Sequence, residues 1–285
     1  MVTGASSGIG KEIALGIAKL GANVIIVGRD EGKGLSAMDE IRRKSGNDAV
    51  ELLLADLSSQ VQVRKLAAEY TARHDKLHVL VNNAGVTVDK RCLTEDGIEM
   101  TFAVNYLSYF LLSNLLIDML KASAPSRIIN MASMVYRTVS IDFDNLQGAK
   151  SYNKDVSYSR SKLADIIFTY ESARRLEGTG VTANCVCPGL VSTQLWERSN
   201  KFVGFFKTFI KGPEKGATIP IYLASSPEIE NVTGKYFQTR QHFRHSKINI
   251  EGAICKTSDE TYRSDTAQRL WTISEALTGI AGGSW

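Results

Sequence analysis

The sequence predicts an α/β protein: a doubly wound parallel sheet with helices on both faces. Three observations carry this. Short β-rich runs alternate with helical patterns along most of the chain. The runs are near-continuous in apolar residues, as in strands buried on both faces of a parallel sheet. A glycine-rich turn stands between the first strand and the first helix, over Thr3–Gly10.

The elements follow in order. "MVTG" allows only a short first strand before the loop "TGASSGIG". Helical patterns lie near 9–20, 31–45, 60–73, 96–121 and 158–177. Between them fall strand candidates "NVIIVG" (23–28), "VELLLA" (50–55), "LHVLVN" (77–82), "RIINMA" (127–132) and "VTANCVC" (181–187). Such β-α-β alternation joins parallel strands by helical crossovers. No repeat, low-complexity tract or linker divides the 285 residues. They read as one domain, 1–285, with a lid insertion near 190–212 and a C-terminal extension near 239–285. A first strand this short is unusual, so further residues upstream are expected.

Composition removes several functions. Hydrophobic residues make up 44% of the chain, enough for a large core. The net charge is +4, and no basic block exceeds "RRK" at 42–44, so a nucleic-acid partner is not expected. Cys92, Cys185, Cys187 and Cys255 form no CxxC pair and have no histidines at metal spacing. They read as buried, reduced thiols, with no metal. No run of about 20 apolar residues exists to span a membrane, and no signal peptide is expected. The expected location is the cytoplasm, with membrane association left open.

The glycine loop is the first chemical signal. Gly4, Gly8 and Gly10 let the backbone turn tightly, and the helix beyond offers free N–H groups to a pyrophosphate. The spacing is G-x-x-x-G-x-G rather than the better-known G-x-G-x-x-G, and glycines at such a turn can also be merely steric. At the end of the second strand stands Gly28, followed by Arg29, where an NAD site usually has an acidic residue. A guanidinium suits a 2′-phosphate, so NADP(H) is the expected cofactor. Asp30 keeps NAD open, and Arg29 can also be read as a solvated surface charge.

Further polar residues close the other strands. Asp56 follows the third strand, where a carboxylate can accept from an adenine amino group. Asn82, Asn83, Ala84 and Gly85 end the fourth, and Ser133 follows the fifth. Singly, each reads as a cap or turn residue; jointly they converge on the crevice at the carboxyl ends of the strands.

In "VSYSRSKLADIIF" (156–168), Tyr158 and Lys162 are one helical turn apart. Leu163, Ile166, Ile167 and Tyr170 make an apolar stripe with Lys162 at its edge, so this ammonium needs a partner. A phenol titrates near ~10; a cation one turn away lowers that value and fits it for acid–base work. The same ammonium can hydrogen-bond a ribose, and Ser133 can donate to a carbonyl oxygen. Asn105, amid apolar neighbours in "FAVNYLSYF", can hold a water that relays protons to Lys162, or be satisfied by a backbone carbonyl.

These residues, in order over about 1–240, resemble the short-chain dehydrogenase/reductase family: Thr3–Gly10, Asp56, Asn82–Gly85, Asn105, Ser133, Tyr158-x-x-x-Lys162 and Pro188–Gly189. The resemblance implies a Rossmann-type sheet and a Ser–Tyr–Lys site assisted by an Asn. Tyr158 would be the general acid/base, Ser133 the carbonyl polariser, Lys162 the pKa tuner and ribose binder, and Asn105 part of a proton relay. "PGLVST" (188–193) resembles the family's nicotinamide loop, with Thr193 a carboxamide ligand. The expected cofactor site is then Gly4, Ser6, Ser7, Gly8, Ile9, Gly10, Arg29, Asp56, Leu57, Asn83, Ala84, Gly85, Tyr158, Lys162, Pro188, Gly189, Val191 and Thr193.

A narrower resemblance is to the retinol dehydrogenase branch. It rests on the 25-residue spacing of Ser133 and Tyr158, the run 143–182, "VTGKYF" (232–237) and "RLWTISEALTG" (269–279). That branch implies NADP(H) and retinoid or lipid-aldehyde substrates. The segment "KFVGFFKTFIKG" (201–212) holds four phenylalanines among three lysines. It can cover a greasy carbonyl or alcohol, touch a bilayer surface, or simply pack on the core. Two other functions stay open: an NADP(H)-binding sensor or scaffold without catalysis, and a C=C reductase like the protochlorophyllide reductases. The family also implies a homodimer through two long helices, unless the C-terminal extension covers that surface.

Overall fold

A computed structural model describes residues 1–189, 212–238, 253–280 and 285. Seven parallel strands form one sheet: β1 (Val2–Thr3), β2 (Val24–Gly28), β3 (Val50–Leu54), β4 (Val79–Asn82), β5 (Ser126–Met131), β6 (Val181–Cys187) and β7 (Tyr236–Gln238). Their order is β3-β2-β1-β4-β5-β6-β7. Val2 pairs with Ile26 on one side and Val81 on the other. The order of winding therefore reverses at β1, and a crevice opens beyond its carboxyl end.

Buried side chains of α1 (Gly8–Lys19), α2 (Glu31–Ser45) and α8 (Pro213–Ser225) share one core cluster. Those of α3 (Gln60–Arg73), α5 (Ser108–Leu115) and α6 (Ile117–Ala122) share a second. A third joins α7 (Lys154–Arg175) to α9 (Ser264–Thr278). The central strands are buried along their length because helices cover both faces, which is why they read as apolar runs.

Three details depart from the sequence reading. The helix expected near 96–121 begins at α4 (Met100–Phe102), because Glu99 caps it: its carboxylate accepts from Thr101 N at 2.9 Å and Phe102 N at 2.8 Å. It then widens into a π turn over Ala103–Leu107 before α5. The helix expected near 158–177 starts earlier, at Lys154, where Asn153 caps Asp155 N and Val156 N. Tyr158 thus sits inside the helix rather than at its start. Strand β7 has only three residues, too few to show a pattern.

The cysteine expectation needs one correction. Cys185, Cys187 and Cys255 are buried free thiols, but Cys92 is exposed, because it lies on the loop before α4 rather than on a strand.

The lid near 190–212 lies outside the described residues apart from Gly212, which precedes α8. Of the C-terminal extension, Ile254 bridges antiparallel to Phe237 and so covers the β7 edge. Helix α9 lies over α5 and α7: the Trp271 ring meets Phe110 at 5.0 Å and Phe168 at 5.8 Å. Among the described residues no helix is long and apolar enough to cross a membrane.

Candidate active site

The crevice beyond β1 is a cleft of about 520 Å³. One wall is the glycine loop. Gly4 turns with φ +64°, and a Cβ there would stand 2.8 Å from the Ala84 Cα. At Gly10 a Cβ would lie 2.4 Å from both the Gly4 carbonyl oxygen and Asn83 Nδ2. The loop and the end of β4 therefore pack main chain against main chain. Thr3 staples them: its hydroxyl accepts from Asn83 N at 2.9 Å and from Ala84 N at 3.1 Å. Asn83 Nδ2 in turn donates to Thr3 O at 2.9 Å.

The start of α1 faces this cleft without a side-chain cap on Ser7 and without an acidic residue in its first turn. Free N–H groups and the positive end of the helix dipole fit a pyrophosphate. Gly4, Ser6, Ser7, Ile9 and Gly10 all line the cleft, as do Arg29, Asp56, Leu57, Asn83, Ala84, Gly85, Pro188 and Gly189. Gly8 does not; its φ of +56° serves the turn. Asn82 points away, donating to Ser113 Oγ and Asn130 Oδ1 in the interior. Val191 and Thr193 lie outside the described residues.

At the far end, Arg29 is joined on the cleft wall by Lys33, which sequence reasoning missed. Lys33 lies one turn into α2, on the side facing the end of β2. Asp30 caps that helix, its Oδ1 accepting from Lys33 N at 2.9 Å. Asp56 Oδ1 is likewise engaged locally, by Ser58 N at 2.9 Å and Ser58 Oγ at 2.8 Å.

The opposite end holds Ser133, Tyr158 and Lys162 together on the cleft wall. Desolvation pushes the Tyr158 phenol above the ordinary tyrosine value, with Cys187 and Asp165 adding to the rise, while a hydrogen bond with Ser133 opposes it. This corrects the expectation that a neighbouring lysine leaves the phenol lowered. Burial outweighs the pull of the lysine, and Lys162 is itself only 4% exposed. Its ammonium donates to Met131 O at 2.8 Å and to Asp165 Oδ2 at 2.9 Å, and lies 5.9 Å from the Tyr158 ring centre. It also lies 5.3 Å from the ring centre of Tyr109, whose hydroxyl donates to Ala84 O at 2.7 Å. Asp165 and Tyr109 were not anticipated.

Asn105 sits in the π turn, fully buried and off the cleft wall. Its Oδ1 accepts from Val86 N at 2.7 Å, and its Nδ2 donates to Val86 O and Ser161 Oγ, both at 3.0 Å. Ser161 Oγ donates to Tyr158 O at 2.7 Å. Asn105 thus ties the segment after β4 to the helical turn that carries Tyr158. Its acceptor is a backbone carbonyl, but one from another segment rather than from its own helix.

Comparison with known proteins agrees with this geometry. The family model for short chain dehydrogenase matches residues 1–204. Human retinol dehydrogenase 14 is 41% identical over 300 residues, covering 98% of this chain and 86% of that protein. Mouse retinol dehydrogenase 13 is 41% identical over 292 residues, covering 99% and 84%. Among solved structures, an uncharacterised protein from Mycobacterium paratuberculosis superposes with a TM-score of 0.76 at 29% identity, covering 97% of this chain and 91% of its own.

Proposed function

Since the chain belongs to the short-chain dehydrogenase family, in its retinol dehydrogenase branch, we propose that it is an NADP(H)-dependent oxidoreductase acting on hydrophobic carbonyls and alcohols. One observation carries the reading: Ser133, Tyr158 and Lys162 meet at one end of a cleft whose other end carries Arg29 and Lys33.

A nicotinamide held in this cleft would supply or take the hydride. The chain's own residues handle everything else. Ser133 holds the substrate oxygen and Tyr158 gives or takes its proton. Lys162 has three donors; Met131 and Asp165 use two, which leaves one for a ribose hydroxyl. Asn105 is a positioning residue that also stands beside the path of a proton relay. The uncapped start of α1 binds the pyrophosphate, and Asp56 reaches the adenine.

The preference for NADP(H) follows from charge. Two cations, Arg29 and Lys33, line the cleft beside the end of β2, and a guanidinium can bind a 2′-phosphate bidentately. The carboxylate that an NAD site would need is engaged in capping α2. The apolar substrate is supported by Val86, Val104, Met134 and Val135, which line the same cleft as Tyr158. The names of the relatives, retinol dehydrogenases, point the same way.

The test is a panel of straight-chain aldehydes of rising length and retinal, with NADPH and then NADH. The rate per KM is expected to rise with chain length and to be higher with NADPH. Best turnover on small polar ketones, with no gain from length, overturns the substrate reading.

A further inference from the structure

Ser133 and Tyr158 stand 25 residues apart, and a connection of that length rarely holds its own shape. Met134 and Val135, at its start, line the cleft. Further on, Val139, Ile141, Phe143 and Leu146 pack against the core cluster that joins α7 to α9. From Val139 to Asp142 the chain has no regular structure. Among the described residues the Ile141 N–H meets no main-chain acceptor. A half-buried N–H needs one. Its acceptor comes from 119 residues downstream: Glu260 Oε1, at 2.8 Å.

Glu260 is itself fixed to the helix of the active site. It lies in the turn Asp259–Tyr262. The Tyr262 ring stacks on Tyr170 of α7 with centres 5.1 Å apart. The Tyr170 and Thr257 hydroxyls share a hydrogen bond of 3.0 Å, and Thr257 N donates to the Tyr262 hydroxyl at 3.2 Å. Arg269 of α9 adds a second grip, its guanidinium 4.3 Å from the centre of the Phe143 ring. Arg160, two residues after Tyr158, adds a third. It donates to Ser140 O, Asn145 O and Asp142 Oδ2, each at 3.3 Å. These holds lead back to α7, which carries Tyr158 and Lys162, either directly or through α9 packed on it.

We infer that Glu260 is a positioning residue that sets substrate specificity: its carboxylate fixes the loop at Ile141, and the loop fixes the wall at Met134 and Val135 relative to Tyr158. The inference deepens the functional reading above and rests on it. A hydrogen bond from an amide to a carboxylate is charge-assisted and stronger than a neutral one. A wall held by it is ordered before the substrate arrives; a released wall must be ordered by each substrate that leans on it. That penalty falls on long apolar chains. A short aldehyde, engaged mainly through its carbonyl at Ser133 and Tyr158, escapes it. The glycine loop and Arg29 lie on other elements, so cofactor affinity does not depend on this bond.

The test compares propanal with decanal at saturating NADPH in wild type, Glu260→Ala and Glu260→Gln. Glu260→Ala is expected to lower kcat/KM for decanal about tenfold, the scale of one charge-assisted hydrogen bond, and chiefly through KM. Propanal kinetics and the Kd for NADPH should change little. Glu260→Gln, whose amide oxygen still accepts from Ile141 N, should restore most of the decanal rate. Arg269→Ala should move the ratio of the two aldehydes the same way by a smaller factor. Parallel loss for both aldehydes, or an unmoved ratio, overturns the inference and leaves the functional reading standing. So does a Glu260→Gln no better than Glu260→Ala. Should Glu260→Ala not fold, Arg269→Ala decides: a moved ratio supports the inference and an unmoved one overturns it. A wild type that prefers propanal, with a ratio that still moves in Glu260→Ala, supports the inference and overturns the apolar-substrate reading. A wild type inert towards every carbonyl and alcohol overturns the functional reading, and the specificity role with it.

Discussion

The glycine-loop end of the cleft is built from main chain, whereas the tyrosine end is built from buried side chains. At the first, Gly4 and Gly10 bring backbone to within contact of Ala84 and Asn83, and α1 presents uncapped N–H groups. At the second, Tyr158 shares the core with the Lys162–Asp165 pair, Asn105 and Tyr109. The difference teaches where each end is fragile. The loop end fails through sterics, because a single Cβ has no room. The tyrosine end fails through electrostatics, because each charge there is felt in a desolvated setting.

Substitutions that separate the two ends sharpen this contrast. The largest effect is expected from Tyr158→Phe. It should lower turnover by roughly 10²–10⁴-fold while NADPH affinity, followed by fluorescence titration, stays close to wild type. Wild-type turnover in that variant would remove the tyrosine end from the chemistry. Next comes Arg29→Ala combined with Lys33→Ala. Loss of two charge-assisted contacts should reduce the preference for NADPH over NADH by about 10–100-fold, with kcat at saturating cofactor little changed. A preference that survives both changes would show that the discrimination lies elsewhere. The smallest effect on the chemical step is expected from Gly10→Ala. Its Cβ must displace the Gly4 carbonyl or Asn83, at a cost of about 1–3 kcal/mol in stability, seen in thermal melts. NADPH should bind more weakly too; an unchanged melting temperature and an unchanged Kd would mean that the loop gives way easily.

The same contrast explains what could be read early. Strands β2 to β6 were legible because a parallel sheet buried on both faces needs unbroken apolar runs. The glycine loop was legible because turn chemistry is local. Ser133, Tyr158 and Lys162 were legible by type and spacing, and the structure brings them to one wall. The early start of α7 was missed although its cap, Asn153, is a local signal. Lys33 was also within reach, one helical turn after Arg29 on a helix that the pattern had already placed. Asp165 had a readable hint, its position three residues after Lys162 on a helix. That spacing is common on exposed helices, and nothing local says that both members are buried.

Periodicity, turns and caps are short-range properties, so the order of strands and helices and the chemical types at the cleft follow from the residues alone. Which groups partner Lys162, and how far Tyr158 is desolvated, follow from packing. Met131 lies 31 residues before Lys162 on a neighbouring strand. The desolvation that raises the phenol exists only once β5, β6, the π turn and α7 have closed around it. A lysine and a tyrosine one turn apart favour a lowered phenol in water; inside this core, desolvation outweighs that pull.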